Sequence, residues 1–385
     1  MTRIEADWLK SEPTQAILSM LSDAGHQAFA VGGCVRNALL DVPVGDIDIS
    51  TSATPEQVTG LADELGFRAV PTGIEHGTVT VVAHGVPFEI TTFRRDVETD
   101  GRRAVVSFTD DIREDARRRD FTMNALYVDA AGQLNDPLGG LPDIVARRVV
   151  FIENAEDRIR EDYLRSLRFF RFHAIYGDPV AGLDADALSA IASNLDGLEQ
   201  LAKERIGAEM LKLLAAVDPA PSLASMEHAG VMAKVLPGAD TWLVGPLVHI
   251  EQAFCAKPNS IRRLAALGGE APEKMLRLSR SQTKALEITK RHLVSDKCPG
   301  ALGYELGEEQ AISVCLLRGA LSNQELAEGV RAEIRKGAGA HFPISAEDLM
   351  PDLTGPALGD ALKALEARWV ESDFTLSRED LLNSL

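Results

Sequence analysis

Three acidic residues carry the first chemical signal. Asp46 and Asp48 stand two residues apart in the run DIDIS (46–50), which alternates acidic and apolar residues as a half-buried strand does. In an extended chain that spacing turns both carboxylates to one face. Neighbouring carboxylates repel unless a positive charge lies between them. A divalent cation supplies it, and oxygen ligands favour magnesium. Glu89 lies between Phe88 and Ile90 in another strand-like run, and it completes a three-carboxylate site if that strand neighbours the first. For the bare pair, the alternative is an edge strand with solvated acids. Upstream, Gly32-Gly33 ends a strand and opens a helix, and free N–H groups at a helix start attract phosphate. Arg36 is one turn into that helix, placed to clamp the same phosphate through two N–H groups. Phosphate donors, metal carboxylates and an arginine together are what phosphoryl or nucleotidyl transfer requires. The chain has neither a P-loop GxxxxGK[ST] nor a GxGxxG fingerprint, which excludes those two phosphate-binding modes.

A second cluster follows. Asp162, Arg165, Arg168 and Arg171 recur every three residues in YLRSLRFFRFHAIY (163–176) and the residue before it. On a single helix they form a drifting polar stripe, while Leu164, Leu167 and Phe170 face the core. An aspartate and an arginine present acceptors and donors to a base edge, as a pairing base would. The plain alternative is a solvated face with i,i+3 ion pairs.

These residues must be positioned by a mixed architecture. Residues 13–25 read as a helix, 27–33 as a strand entering a glycine turn, and 34–41 as a helix. Thr54 and Pro55 start a further helix that Gly66 ends. Runs 77–83 and 86–93 read as a hairpin joined by His84-Gly85. Residues 27–93 thus give βαβαββ, a mixed sheet with helices on it. The polar stretch 94–111 reads as a loop. From about residue 150 strand-like runs cease, and apolar residues recur at helical spacing. Helices are expected at 185–194, 198–216, 222–234, 243–255, 259–267, 272–278, 281–292, 307–317, 323–335, 345–350 and 357–370. The fold class is α+β, a head of residues 1–150 followed by an all-helical remainder.

Composition limits the partners. The net charge of −18 argues against a non-specific nucleic-acid binder, so any RNA site must be a local basic groove on an acidic body. Arginines cluster accordingly at 117–119 and 158–171. Aromatic residues make up 5%, which argues against extensive base stacking. No run of eighteen apolar residues spans a membrane, and the start MTRIEADWLKSEPTQ does not read as a secretory signal. Cys34, Cys255, Cys298 and Cys315 are far apart with no CxxC pair, as expected of reduced cytoplasmic thiols.

In order along the chain, VGGCVRNALL (31–40), VGDIDIST (44–51), GTVTVV (77–82), FEITTFR (88–94), RRDFTMNAL (118–126) and EDYLRSLRFFRF (161–172) resemble the bacterial class II tRNA nucleotidyltransferases, the CCA-adding enzymes, and their poly(A) polymerase relatives. The resemblance continues more loosely through ERIGAEMLKLL (204–214) and residues 344–371. It implies a polymerase-β-type nucleotidyltransferase head at 1–150, a helical neck with the base-reading motif at 151–220, a body at 221–300 and an RNA-binding tail at 301–385. It implies template-independent addition of C, C and A from CTP and ATP to tRNA, with Mg2+ as cofactor and no obligatory protein partner. The metal-binding aspartates then look like Asp46 and Asp48, with Glu89 the third carboxylate. Phosphate and sugar contacts look like Gly33, Arg36 and Arg119. The base-reading motif looks like Glu161, Asp162 and Arg165, with Arg168 and Arg171 reaching phosphate. Asn37 stands where the family often has aspartate. HGTVTVV (76–82) favours the CCA-adding branch over poly(A) polymerases, which tend to carry a GRRF-like segment there. The family switches from C to A with a mobile loop, and 94–111 is long enough to be one, which favours full CCA addition over an enzyme adding CC or A alone. No HD dipeptide occurs, so the phosphohydrolase domain of some relatives is not expected. Intact Asp46, Asp48 and Glu89 argue against a non-catalytic RNA-binding descendant.

Overall fold

The computed structural model describes residues 2–100, 103–350 and 352–384. The fold divides into two compact units, Met1–Leu213 with Pro221–Val235, and Leu214–Ala220 with Leu236–Leu385.

The first unit is organised by a seven-stranded mixed sheet. Its strands are β1 (Ala28–Val31), β2 (Asp48–Thr51), β3 (Arg68–Gly73), β4 (Thr78–Ala83) and β5 (Val86–Thr92). β6 (Arg94–Asp100) and β7 (Arg103–Phe108) form a separate two-stranded ribbon. β8 (Tyr127–Val128) and β9 (Leu134–Asn135) return to the main sheet. The order in the sheet is β3-β4-β5-β2-β1-β8-β9. β2 pairs antiparallel with β1 and parallel with β5, so the expected mixed sheet is present and Glu89's strand does neighbour that of Asp48. His84 and Gly85 have φ of 51° and 81°, the doubly left-handed pair that a two-residue hairpin turn needs. The helix Pro55–Glu64 begins with a capping box between Thr54 and Gln57.

Two expectations are corrected here. The stretch expected as a loop at 94–111 instead forms strands at Arg94–Asp100 and Arg103–Phe108, with 101–102 outside the described residues. Its polar composition hides the β-branched run Val105-Val106 in β7, which pairs with β6. β3, absent from the sequence pattern, forms an edge strand whose residues are exposed or half-buried, so it lacks the apolar alternation that marks an inner strand.

After β9 the described residues contain helices and isolated bridges only. The expected helix 222–234 breaks into Ala220–His228 and Val231–Val235, because Gly230 takes φ +81° between them. The helix expected at 198–216 begins later, at Lys203, after a 3-10 turn over Leu195–Gln200. The helices Pro299–Leu306 and Arg378–Leu382 were not foreseen. No described helix is long and apolar enough to cross a membrane, and all four cysteines are free.

The second unit is pinned by a buried charge cluster. Glu251 is 2% exposed. It accepts from Arg262 Nη1 at 2.7 Å and from Arg263 Nε and Nη2 at 3.0 and 2.7 Å. Arg263 also donates to the carbonyls of Leu214, Ala216 and Val217, which ties the segment Leu214–Ala220 to this unit. Removing one partner of such a pair strands a charge away from water. Glu251→Gln is therefore expected to lower unfolding stability by about 3–5 kcal/mol. Denaturant unfolding measures this, and a loss below about 1 kcal/mol would show that the arginines find water instead.

Candidate functional site

The sheet fixes the acids. Asp48 and Glu89 are register partners on adjacent parallel strands. They share one face with Ser50 and Thr91, while Ile49, Phe88 and Ile90 pack into the core on the other. Asp46 lies two residues ahead of β2, outside the strand and exposed. The sequence argument that put both aspartates on one strand face is corrected accordingly, since Gly45 and Asp46 belong to the loop entering β2. Asn37, the departure from the family pattern, steadies that loop by donating from Nδ2 to the Pro43 carbonyl at 2.9 Å.

The Asp48 carboxyl is pushed above its ordinary pKa, first by partial removal from water, then by the charge of Glu89, with Arg119 opposing and Asp46 adding. The acids form an under-neutralised patch of oxygen donors, the chemistry that a hard divalent cation suits. Among the described residues no three His, Cys, Asp or Glu side chains already converge as a metal cage.

Beside Asp48 opens a cleft of about 630 Å³ lined by Gly32, Gly33, Arg36, Arg118 and Arg119, and on its other wall by Asp162, Arg165, Arg168 and Arg205. The structure thus brings Asp48 and the glycine turn together with Asp162, Arg165 and Arg168, while Asp46 and Glu89 do not line the cleft. Arg171 does not line the cleft. It is turned to Glu209 at 2.5 Å. Gly32 has φ +73°, and a Cβ there would stand 3.4 Å from Arg119 Nη1. A side chain would strain the backbone and crowd the guanidinium.

The arginines are held by carboxylates that sequence reading missed. Asp115 is fully buried. It accepts from Arg118 Nε at 2.8 Å, Arg119 Nη2 at 3.1 Å, Tyr127 Oη at 2.8 Å and Ser50 Oγ at 3.1 Å. Burial alone would raise its pKa, but Arg119 and Arg118 overturn that and hold it well below the usual carboxylate range. Its contribution to stability is therefore complete above the unfolded value of about 4 and is lost as pH falls through the depressed folded value. Its spacing from Arg118 and Arg119, three and four residues on one helical turn, was a readable signal.

Asp120 accepts from Arg168 Nε at 2.7 Å and from Asn124 Nδ2 at 2.8 Å. Asn124 Oδ1 in turn accepts from Arg36 Nη1 at 2.5 Å. Arg36 is 7% exposed, donates to Tyr176 Oη at 2.8 Å and stacks on that ring at 4.0 Å. The clamp imagined for Arg36 is thus already engaged with protein partners. Tyr176 is 140 residues away, and nothing local in the sequence announces it.

Asp162 is also corrected. One helix ends at Glu161 and the next runs Leu164–Tyr176, so Asp162 sits in the bend with extended backbone, φ −154°. Its Oδ1 accepts from the Leu164 N–H at 3.1 Å and its Oδ2 from Arg205 Nη2 at 2.7 Å. Arg165 is tied by Nη1 to Glu161 at 2.5 Å and by Nη2 to the Arg118 carbonyl at 3.0 Å. Asp162 and Arg165 therefore approach the cleft from a bend and a helix start, and not as a stripe.

The family models that match are the poly A polymerase head domain, over residues 28–150, and the probable RNA and SrmB-binding site of polymerase A, over residues 182–243. The human mitochondrial CCA tRNA nucleotidyltransferase 1 is 30% identical over 97% of this chain and 90% of its own. A CCA-adding enzyme of Bacillus cereus is 43% identical over 52% of this chain and 49% of its own. The solved Bacillus stearothermophilus CCA-adding enzyme in complex with CTP superposes with a TM-score of 0.73 at 30% identity, covering 94% of this chain and 93% of that one.

Asp115→Asn removes a buried charge that two cleft arginines need. It is expected to lower stability by about 3 kcal/mol and to weaken CTP binding about tenfold, as the guanidiniums lose their orientation. Thermal unfolding and CTP titration measure both. A folded variant with unchanged CTP affinity would remove Asp115 from the site.

Proposed function

Since this chain belongs to the family of CCA-adding tRNA nucleotidyltransferases, we propose that it adds C, C and A in turn to the 3′ end of tRNA, using CTP and ATP and releasing pyrophosphate. One observation carries the reading. Asp48, the register partner of Glu89 on the adjacent strand, lines a cleft that also holds Arg119, Asp162 and Arg165, so an acid, phosphate cations and a base-edge pair share one space. Nucleotidyltransferases of this kind depend on a divalent metal. Magnesium is the proposed ion, with Asp46, Asp48 and Glu89 as the residues that would hold it. When bound it lowers the pKa of the RNA 3′-hydroxyl and offsets charge at phosphorus.

The chain's own groups do the rest. Arg119 and the Gly32-Gly33 edge receive the triphosphate, and Arg168 adds positive charge to the same cleft. Arg36, on the cleft wall, and Arg171, outside it, brace the helix Leu164–Tyr176 through Tyr176 and Glu209. The 3′-hydroxyl attacks the α-phosphate in line, and pyrophosphate leaves.

Base choice follows from donor patterns. Cytosine and adenine each present an amino group beside a ring acceptor. Asp162 accepts from the amino group while Arg165 donates to the ring nitrogen. Uracil and guanine reverse that pattern and leave desolvated groups unpaired, at roughly 1–3 kcal/mol for each mismatch. Two mismatches together give strong selection without a template. The head, neck, body and tail division at 1–150, 151–220, 221–300 and 301–385 is part of the proposal, as is the cytoplasm as compartment.

The decisive assay incubates tRNA lacking its 3′ end with CTP, ATP or both, and resolves products to single nucleotides. Addition of CCA and no further is expected. Long A tails from ATP on unstructured RNA would make the protein a poly(A) polymerase, and stalling at CC or acceptance of A alone would make it a partial enzyme. Asp46→Ala and Asp48→Ala are each expected to abolish addition with Tm nearly unchanged. Asp162→Ala and Arg165→Ala should slow addition and admit UTP or GTP. If both keep wild-type preference among the four triphosphates, the base-reading assignment is wrong.

A further inference from the structure

The bend that carries Asp162 rests on a contact that its hydrogen bonds do not describe. Gly197 lies in the 3-10 turn Leu195–Gln200 and is buried. A Cβ on Gly197 would stand 1.9 Å from Tyr163 Cε1, 2.1 Å from Cδ1 and 2.2 Å from Cζ. The Tyr163 ring therefore lies directly on the backbone of the turn. No side chain fits between them, since carbon atoms in contact stay about 3.5–4.0 Å apart. The φ of Gly197 is outside the left-handed region, so the backbone does not ask for glycine there, and the ring does. Tyr163 follows Asp162 directly and stands two residues before Arg165, between the two groups that meet the base.

Two polar contacts flank this one. Arg160 donates from Nε to Asn194 Oδ1 at 3.3 Å, and Arg205 donates from Nη2 to Asp162 Oδ2 at 2.7 Å. Residues 160, 162 and 163 thus all meet the stretch 194–205. The three contacts differ in stiffness. A long arginine side chain has many rotamers and can follow its partner over a range of backbone positions, so neither arginine fixes where the bend lies. A ring packed on backbone has no such freedom. If it is displaced, it takes its own backbone along or turns out to water. The turn below it is anchored in its own right. Leu198 is 2% exposed, and Lys234 Nζ reaches Asp196 Oδ1 at 2.9 Å and Glu199 Oε1 at 2.7 Å.

We propose that Tyr163 seated on Gly197 is a positioning contact for nucleotide choice, which sets the separation of Asp162 and Arg165 and so the base edge that fits between them. The proposal rests on the base-reading role given above and adds two residues to it. Neither touches the nucleotide, and both act through Asp162 and Arg165. Gly197 falls within residues 182–243, matched by the probable RNA and SrmB-binding model, yet its partner adjoins Asp162, so the effect falls on the incoming triphosphate and not on the RNA. The magnitudes favour an effect on selection. A methyl group on Gly197 would displace the ring by about 1.5 Å to restore contact distance, whereas a hydrogen bond to a base edge keeps its geometry over only about 0.5 Å.

The test uses the full chain with Gly197→Ala, Tyr163→Ala, Tyr163→Phe, and Gly197→Ala combined with Tyr163→Ala. Single additions of CTP, ATP, UTP and GTP to tRNA lacking its 3′ end are measured, together with the KM for tRNA and the Tm. Gly197→Ala should lower the preference for CTP over UTP and for ATP over GTP by about tenfold or more, with the KM for tRNA unchanged. Tyr163→Ala should lower it as well, and Tyr163→Phe, which keeps the ring, should not. In the combined variant the methyl group has no ring to displace, so its preference should match that of Tyr163→Ala alone and not the product of the two losses. Should Gly197→Ala fail to fold, recovery of folding in the combined variant supports the contact, and Tyr163→Ala against Tyr163→Phe decides its role in selection. Wild-type preference in Tyr163→Ala and in whichever Gly197 variant folds, even with a lowered Tm, would reduce the contact to packing and overturn the proposal. Losses that multiply in the combined variant would do the same. Failure of the readings beneath it looks different. A wild type that adds no nucleotide to tRNA would sink the function itself, and Asp162→Ala and Arg165→Ala that keep wild-type preference would sink the base-reading role.

Discussion

A buried carboxylate facing two arginines is the interaction on which the site depends. Asp115 has no access to water, so its charge persists only because Arg118 and Arg119 answer it. In return the two guanidiniums are fixed in direction. The same carboxylate accepts from Ser50 on β2, two residues beyond Asp48. One group therefore registers the phosphate-facing cations against the strand that bears the acid. A site that must hold negative oxygens near negative carboxylates needs this, since a misplaced cation leaves mutual repulsion uncompensated.

The same logic extends through the rest of the cleft. Arg168, Asp120, Asn124, Arg36 and Tyr176 form a continuous chain of hydrogen bonds. It links the helix after the glycine turn to the helix that carries Arg165. Arg205 and the Leu164 N–H hold the two oxygens of Asp162 in the bend between helices. Arg119, Asp162, Arg165 and Arg168 are each held by other protein groups, so much of the donor and acceptor pattern is set before any ligand arrives. Preorganisation of this kind is how a protein surface substitutes for a template.

Charge is also divided by place. An acidic chain that handles a polyanion must keep its cations local. In the first unit they are spent on internal carboxylates around the cleft. On the helix Arg280–Leu293 the Lys and Arg side chains make no ion pair among the described residues. The buried Glu251, Arg262 and Arg263 set shows a third use, in which the same residue types serve packing alone.

Much of this was legible in sequence because it is local. The glycine turn, the Thr54 cap, the His84-Gly85 hairpin and the alternation of Phe88, Glu89 and Ile90 are decided within a few residues by sterics and periodicity, and the ordered motifs pointed to the family. Asp115 could have been read from its three- and four-residue spacing to the arginines. Other features were decided only by the tertiary structure. Asp162 sits in a bend where its carboxylate meets Arg205, 43 residues on, and the i,i+3 spacing that suggested a stripe is blind to that partner. Whether Arg36 faces ligand or protein depends on Tyr176, which periodicity cannot bring near. Asp46 left the strand because pairing partners, and not alternation, set where β2 begins. Local spacing names the groups that can do chemistry, while the direction each one points is set by buried partners distant in the chain, since a charge removed from water takes its geometry from whatever neutralises it.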